Sequence, residues 1–244
     1  MGYYHGVHQH MSDLLNITGL HVSYDQGINA LHGVDLRVAA GQRIGLIGPN
    51  GAGKTSLMMA ILRAVPSTGR VVLDGIELSR RTVEQVRGRC GMVFQDADDQ
   101  LFMPTLLDDV AFGPLNQDPD AETARRRAVK AIAAVGLGGL ENRPAHHLSG
   151  GQKRCAALAT VLAMQVKLLL LDEPGANLDF RSRRRLVEIL LSRPEAMLLA
   201  SHDLDMVGRL CQEVVLLDEG RIVAQGPSGE ILANKALLEA HGLA

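Results

Sequence analysis

The spacing of hydrophobic positions changes several times along this chain, and each change marks a new element. Between residues 14 and 38 apolar side chains come in short alternating runs: Leu20, Val22 and Tyr24, then Val34, Leu36 and Val38. Period two predicts half-exposed antiparallel strands. Ala40-Gly41-Gln42 turns into an apolar run at 43–47, the pattern of a buried strand. A helix is predicted over 54–65, with apolar Leu57, Ile61, Leu62 and Val65 and a stop at Pro66. Asp74-Gly75 between apolar 70–73 and 76–78 is a hairpin signal, and residues 91–94 form a further strand leading to Gln95.

From 96 to about 163 the character is helical, at 108–115, 120–135 and 149–164, with Gly- and Pro-containing breaks between. This predicts a helical subdomain inserted into an α/β core. The unbroken apolar run at 168–171, entered from Lys167, is that of a strand in a buried parallel sheet. Strands follow at 196–200, 213–217 and 222–224, the last after a turn at 218–221, and residues 228–244 read as terminal helices. No internal repeat is visible. The expected organisation is a leader at 1–13, one domain over 14–234 and a helical tail at 235–244. His5, His8 and His10 could make the leader a metal-gathering tail. Spacing of i, i+3 and i+5 fixes no ligand geometry, so a disordered leader is the preferred reading.

Bulk properties narrow the function. A chain of 244 residues can bury one large core, or a core with a lobe. Its net charge is −2 and no basic stripe runs along it, so nucleic acid is not an expected partner. Arg125-Arg126-Arg127 and Arg183-Arg184-Arg185 read as solvated helix faces. Cys90, Cys155 and Cys211 fit neither a disulfide framework nor a zinc spacing, and suit a reducing cytoplasm. The longest apolar candidate for a membrane span, 156–171, is broken by Gln165 and Lys167, and the first residues are unlike a signal peptide. A membrane role would be peripheral, through a partner.

Three stretches carry chemistry. Gly48, Pro49, Asn50, Gly51, Ala52, Gly53, Lys54, Thr55 and Ser56 fit the phosphate-loop pattern G-x-x-x-x-G-K-[ST]. Glycines let backbone N–H groups approach phosphate oxygens, Lys54 supplies a point charge, and the Thr55 hydroxyl suits Mg²⁺. A strand before the loop and a helix N-terminus after it set this apart from an ordinary Gly-rich turn. Asp172 and Glu173 end the apolar run at 168–171, at the strand end where open α/β sheets bind ligands. Asp172 suits Mg²⁺ through water, and Glu173 suits polarising the water that attacks a γ-phosphate. Ser149, Gly150, Gly151 and Gln152 open a helix as a second phosphate-binding end; one γ-phosphate rarely needs two, so a partner's nucleotide is the natural target.

Together these motifs resemble the ATP-binding cassette (ABC) ATPases: the phosphate loop, Gln95, Leu148-Ser149-Gly150-Gly151-Gln152, Asp172-Glu173 and Ser201-His202-Asp203. The resemblance covers about 14–234. It implies a P-loop NTPase core with an antiparallel β-subdomain, ATP and Mg²⁺ as ligands, and a head-to-tail dimer sandwiching two ATP molecules. By the same resemblance Tyr24 would stack on adenine, which its ring permits, although a lone strand tyrosine could equally be core. Gln95 would bridge Mg²⁺ or the attacking water to the helical lobe, His202 would align that water with Glu173, and Asp179 would lie in the loop crossing the dimer interface. Thr55, Gln95 and Asp172 form the implied Mg²⁺ set. Gly175, Asn177 and Phe180 depart from the family's usual residues and bear on interface geometry.

Residues 93–102 and 108–116 resemble the ATPase subunits of energy-coupling-factor importers, particularly the cobalt/nickel (CbiO-like) branch, with Ala97 in place of a usual Pro. This implies a motor at the cytoplasmic face of the membrane, gripping an integral membrane coupling subunit that works with a substrate-binding subunit, as a homodimer or heterodimer. A vitamin cargo remains open at this level. A soluble ABC ATPase, such as an iron–sulfur assembly, repair or translation factor, is the rival from another class. The lack of a long heptad insertion and of a second cassette counts against chromosome-type and duplicated forms. A nucleotide sensor without turnover would not need both Glu173 and His202.

Overall fold

The computed structural model describes residues 13–24, 27–118 and 120–243; the expected leader lies outside the described residues except for Asp13. Strands β1 (Asp13–Tyr24) and β2 (Ile28–Ala39) pair antiparallel. Then come β3 (Arg43–Ile47), helix α1 (Lys54–Ile61), and the hairpin of β4 (Ser67–Leu73) and β5 (Ile76–Glu77) around Asp74-Gly75. A short α2 (Val83–Arg87) leads to β6 (Cys90–Val93). The helical lobe holds α3 (Leu106–Gln117), α4 (Ala121–Ala134) and α5 (Gly150–Ala163). The chain then returns through β7 (Leu168–Asp172), α6 (Phe180–Leu191), β8 (Ala196–Ala200), α7 (Leu204–Leu210), β9 (Glu213–Asp218) and β10 (Arg221–Pro227), and ends in α8 (Ser228–Ala233) and α9 (Lys235–Ala240).

One sheet, ordered β2-β1-β4-β5, is antiparallel throughout. The other, ordered β10-β9-β3-β8-β7-β6, is parallel except for its β10 edge. This is the expected α/β core with an antiparallel sheet beside it. Side chains of the parallel strands divide by the pleat. Val93, Leu169, Leu171, Leu199 and Leu216 face a core shared with the helical lobe. Ile44, Leu46, Leu168, Leu170, Leu198 and Val215 face a core built with α1 and the antiparallel sheet. Both faces are covered, which explains why these strands read as continuous apolar runs.

Helix starts are set by local chemistry. The Thr105 hydroxyl accepts from Asp108 N, the Asp120 carboxylate accepts from Glu122 N and Thr123 N, and Ser149 and Gln152 form a reciprocal capping box. α1 stops earlier than the predicted residue 65 because Arg63 takes a left-handed conformation, φ 52°, and Ala64 N closes onto Met59 O. α3 includes Pro114, as the expected helix over 108–115 does, and extends two residues beyond that range at each end. α7 has no counterpart in the sequence reading: it is seven residues long with Gly208 inside, too short for a periodic signal. None of the described helices is long and apolar enough to cross a membrane.

The lobe sits hard against the parallel sheet at Gly91, where a Cβ would fall 2.4 Å from Val161 Cγ1. We expect Gly91→Ala to lose about 1–3 kcal/mol by overpacking, read as a lower urea midpoint; an unchanged midpoint would mean that α5 can retreat. Burial pushes the Cys90 and Cys211 thiols up to about 12 and raises Cys155 as well. A raised thiol pKa keeps the folded protein protonated where the unfolded chain ionises. That contribution is therefore complete below the unfolded thiol pKa, roughly 8.5, and fades as pH rises towards the folded values. At pH 8 Ellman's reagent should find no reactive thiol in the native protein and three in guanidinium chloride; rapid native labelling would contradict the packing.

Candidate functional site

Strands β3, β8 and β7 lie side by side, and the loops at their carboxyl ends open into one cleft of about 1100 Å³. From β3 comes the glycine-rich loop. Gly48 has φ 149°, and a Cβ there would stand 2.0 Å from Leu217 O, so only glycine allows the loop to lie against β9. Lys54 begins α1 and is buried, its Nζ donating to Gly48 O at 2.7 Å and Pro49 O at 2.9 Å. Burial lowers its pKa, opposed by the carboxylates of Glu173 and Asp172. An anion seated in the loop would favour its charged form.

From β7 come the two carboxylates. Thr55 Oγ1 donates to Asp172 Oδ2 at 2.7 Å, joining the loop to the strand end. Glu173 has φ 46°, a strained conformation for a residue with a side chain. Its Oε2 accepts from Ser201 Oγ and His202 N, both at 3.3 Å, while its Oε1 is buried with no hydrogen-bond partner among the described residues. His202 Nε2, carried on the loop after β8, lies 3.5 Å from that oxygen, beyond hydrogen-bonding reach for this geometry. Gln95 lines the same cleft.

These residues fit a magnesium nucleotide. The loop offers backbone N–H groups and a buried cation at the start of a helix, and Thr55 with Asp172 offers two hard oxygens at one point. The unpartnered Glu173 oxygen is a buried acceptor on a residue that lines the same cleft. Its desolvation is costly unless a donor such as a water fills it.

Other expected residues lie around this centre. Gly150 lines an adjoining cleft that also touches Gln95 and Asp172, and exposed Ser149 opens α5 beside it. Asp179 caps α6 through Ser182 N and Ser182 Oγ, bonds that hold its carboxyl below the usual range. Tyr24 is partly exposed outside the main cleft, its hydroxyl 3.0 Å from Ser56 Oγ. At the departures, a Cβ on Gly175 would fall 2.4 Å from Met206 Cε, Asn177 has φ 59°, and Phe180 is exposed at the start of α6. The sequence assigns no role to Ser201, which holds Glu173, or to Arg154, a buried arginine on α5. Ser201 is legible only as the neighbour of His202 in its motif, and Arg154 only as a charge immediately before a run of small apolar residues.

A family model described as ABC transporter matches residues 31–176. The chain belongs to the ABC transporter family. It is thus an ABC-type ATPase, with ATP as its nucleotide. A putative ABC transporter ATP-binding protein of Streptomyces avermitilis is 45% identical over 94% of this chain and 88% of its own length. The cobalt import ATP-binding protein CbiO of Rhodobacter capsulatus is 38% identical over 96% of this chain and 85% of its own. Among solved structures, cbiO1 from Clostridium perfringens, described as part of the ABC transporter complex cbiONQ, superposes with TM-score 0.82 at 32% identity over 95% of each chain.

Lys54→Ala should weaken ATP binding by at least about tenfold, the effect of losing roughly 1.4 kcal/mol from one charge-assisted contact. Titration calorimetry would measure it; equal affinities would remove Lys54 from the phosphate site.

Proposed function

We propose that this protein is the ATP-hydrolysing motor subunit of an energy-coupling-factor importer, most directly for cobalt or nickel ions. It works as a homodimer at the cytoplasmic face of the membrane, attached to integral coupling and substrate-binding subunits. The observation that carries the motor reading is the convergence of Lys54, the Thr55–Asp172 pair and the half-satisfied Glu173 carboxylate on one cleft. Support for the importer branch comes from residues 93–102 and 108–116, from the relative named for cobalt import and from the likeness to cbiO1 of the cbiONQ complex. Vitamin uptake and soluble ABC functions have no comparable observation.

In this reading Thr55, Gln95 and Asp172 would hold Mg²⁺, which would supply positive charge for the phosphate oxygens. Lys54 and the loop N–H groups bind the β- and γ-phosphates. Glu173 Oε1, free of hydrogen bonds and already desolvated, accepts a proton from the attacking water. His202 Nε2 orients that water beside it, and Ser201 Oγ steadies the other Glu173 oxygen. Residues 149–152, of which Ser149 and Gly150 are exposed, face the ATP of a second copy, and Asp179 lies at that interface.

With ATP and Mg²⁺, Glu173→Gln should bind nucleotide, lose at least about 100-fold in turnover and elute as a dimer in size-exclusion chromatography. Ser149→Arg should bind ATP and stay monomeric. Undiminished turnover in the first would remove Glu173 as the base, and a normal dimer in the second would remove the sandwich. Glu173→Gln drawn from detergent-solubilised native membranes should bring polytopic membrane proteins with it; recovery of soluble partners alone would move the assignment to the soluble ABC ATPases.

A further inference from the structure

Arg154 is a cation buried without a carboxylate. It lies on α5 five residues beyond Ser149, is 6% exposed, and forms no ion pair among the described residues. Its Nη1 donates to Phe94 O at 2.8 Å and to Gln95 O at 2.7 Å, and Nη2 reaches Ala176 O at 3.4 Å. Taking a guanidinium out of water is costly, and neutral carbonyls offset it less than a carboxylate would. Burial accordingly lowers its pKa, with Asp96 pulling the other way. The residues that follow on α5, from Cys155 to Ala159, are buried and apolar, so an apolar side chain at 154 would continue that packing at lower cost. Stability alone does not call for an arginine.

Its three acceptors belong to the two loops that flank the Thr55–Asp172 pair. One loop carries Gln95. The other follows Glu173, whose carbonyl accepts from Ala176 N at 3.1 Å. Two further contacts fasten the first loop to the same helix. Gln100 Nε2 donates to Ala157 O and Thr160 Oγ1 while its Oε1 accepts from Phe94 N, and Lys153 Nζ lies 2.6 Å from Asp98 Oδ1. The N-terminus of α5 and both loops are therefore tied through one helix.

We propose that Arg154 is a positioning residue coupling the two ATP sites of the dimer. Through Gln95 and the loop behind Glu173 it senses the nucleotide of its own chain. Through the tilt of α5 it sets residues 149–152, which meet ATP on a second copy. The inference rests on the sandwich reading above. A lysine cannot substitute, because one ammonium cannot span carbonyls on two loops as a planar fork does.

The test measures ATP turnover against ATP concentration for the full chain, and the ATP concentration that half-dimerises Glu173→Gln. The unmodified protein should show a Hill coefficient above one. In Arg154→Lys and Arg154→Met it should fall to one, with kcat reduced by about tenfold and ATP affinity of the monomer kept within about threefold. Arg154→Lys in the Glu173→Gln background should raise the dimerisation midpoint by about tenfold. A residue that only stabilises the fold would lower the melting temperature and leave Hill coefficient and midpoint unchanged, which overturns the coupling. Should the methionine variant fail to fold, the lysine variant decides. No ATP-dependent dimer in Glu173→Gln itself would sink the sandwich reading instead, so the two failures are separable.

Discussion

Thr55 and Asp172 stand 117 positions apart and share a hydrogen bond of 2.7 Å. That bond depends on sheet order. Strand β8 pairs with both β3 and β7, so the phosphate loop, the Asp172-Glu173 pair and the His202 loop leave the sheet at the same edge. Two hydrophobic cores hold the strands in that order, one shared with the helical lobe and the other with α1 and the antiparallel sheet. The burial that stabilises the fold thus also aims its polar groups. Lys54, Asp172 and Glu173 sit at the edge of an apolar interior, where fixed charges act more strongly than in water.

The site carries its tension in specific places. Lys54 is buried on carbonyls rather than on an anion, Glu173 is strained in φ and has one oxygen without a partner, and Arg154 has only neutral acceptors. Each is unfavourable for the isolated chain; in the proposed function a phosphate would relieve the lysine and a water the glutamate. Polar groups left short of partners at one cleft are the mark of a surface built for a ligand.

The helical lobe shows how little freedom that arrangement leaves. Val161 is in contact range of Gly91, and Gln100, Lys153 and Arg154 fasten the loop after β6 to α5. Motion of the lobe relative to the core therefore carries Gln95 with it. In the coupling proposed above, a helix that opens at exposed Ser149 and holds the loops at Gln95 and Ala176 through Arg154 would turn a local event into a displacement at another surface.

The sequence by itself determined whatever obeys a short-range rule. Period two marked the antiparallel strands and continuous apolar runs the parallel ones, the Asp74-Gly75 pair marked its hairpin, Ser149 and Gln152 marked a helix start, and the glycines with Lys54 and Thr55 marked a phosphate-loop pattern before any partner for it was visible. Ends of elements were less legible: α1 stops at a left-handed Arg63, short of the expected residue 65, and α3 runs past the expected 108–115 at both ends. What only the tertiary structure decided is proximity between distant residues. The hold of Ser201 on Glu173, the meeting of the Tyr24 hydroxyl with Ser56, and the reach of Arg154 to Phe94, Gln95 and Ala176 all span segments joined through the sheet and its two cores. Side-chain spacing reports on neighbours within a turn or a pleat, whereas strand order follows from burying both faces of a sheet at once, a condition on the whole chain.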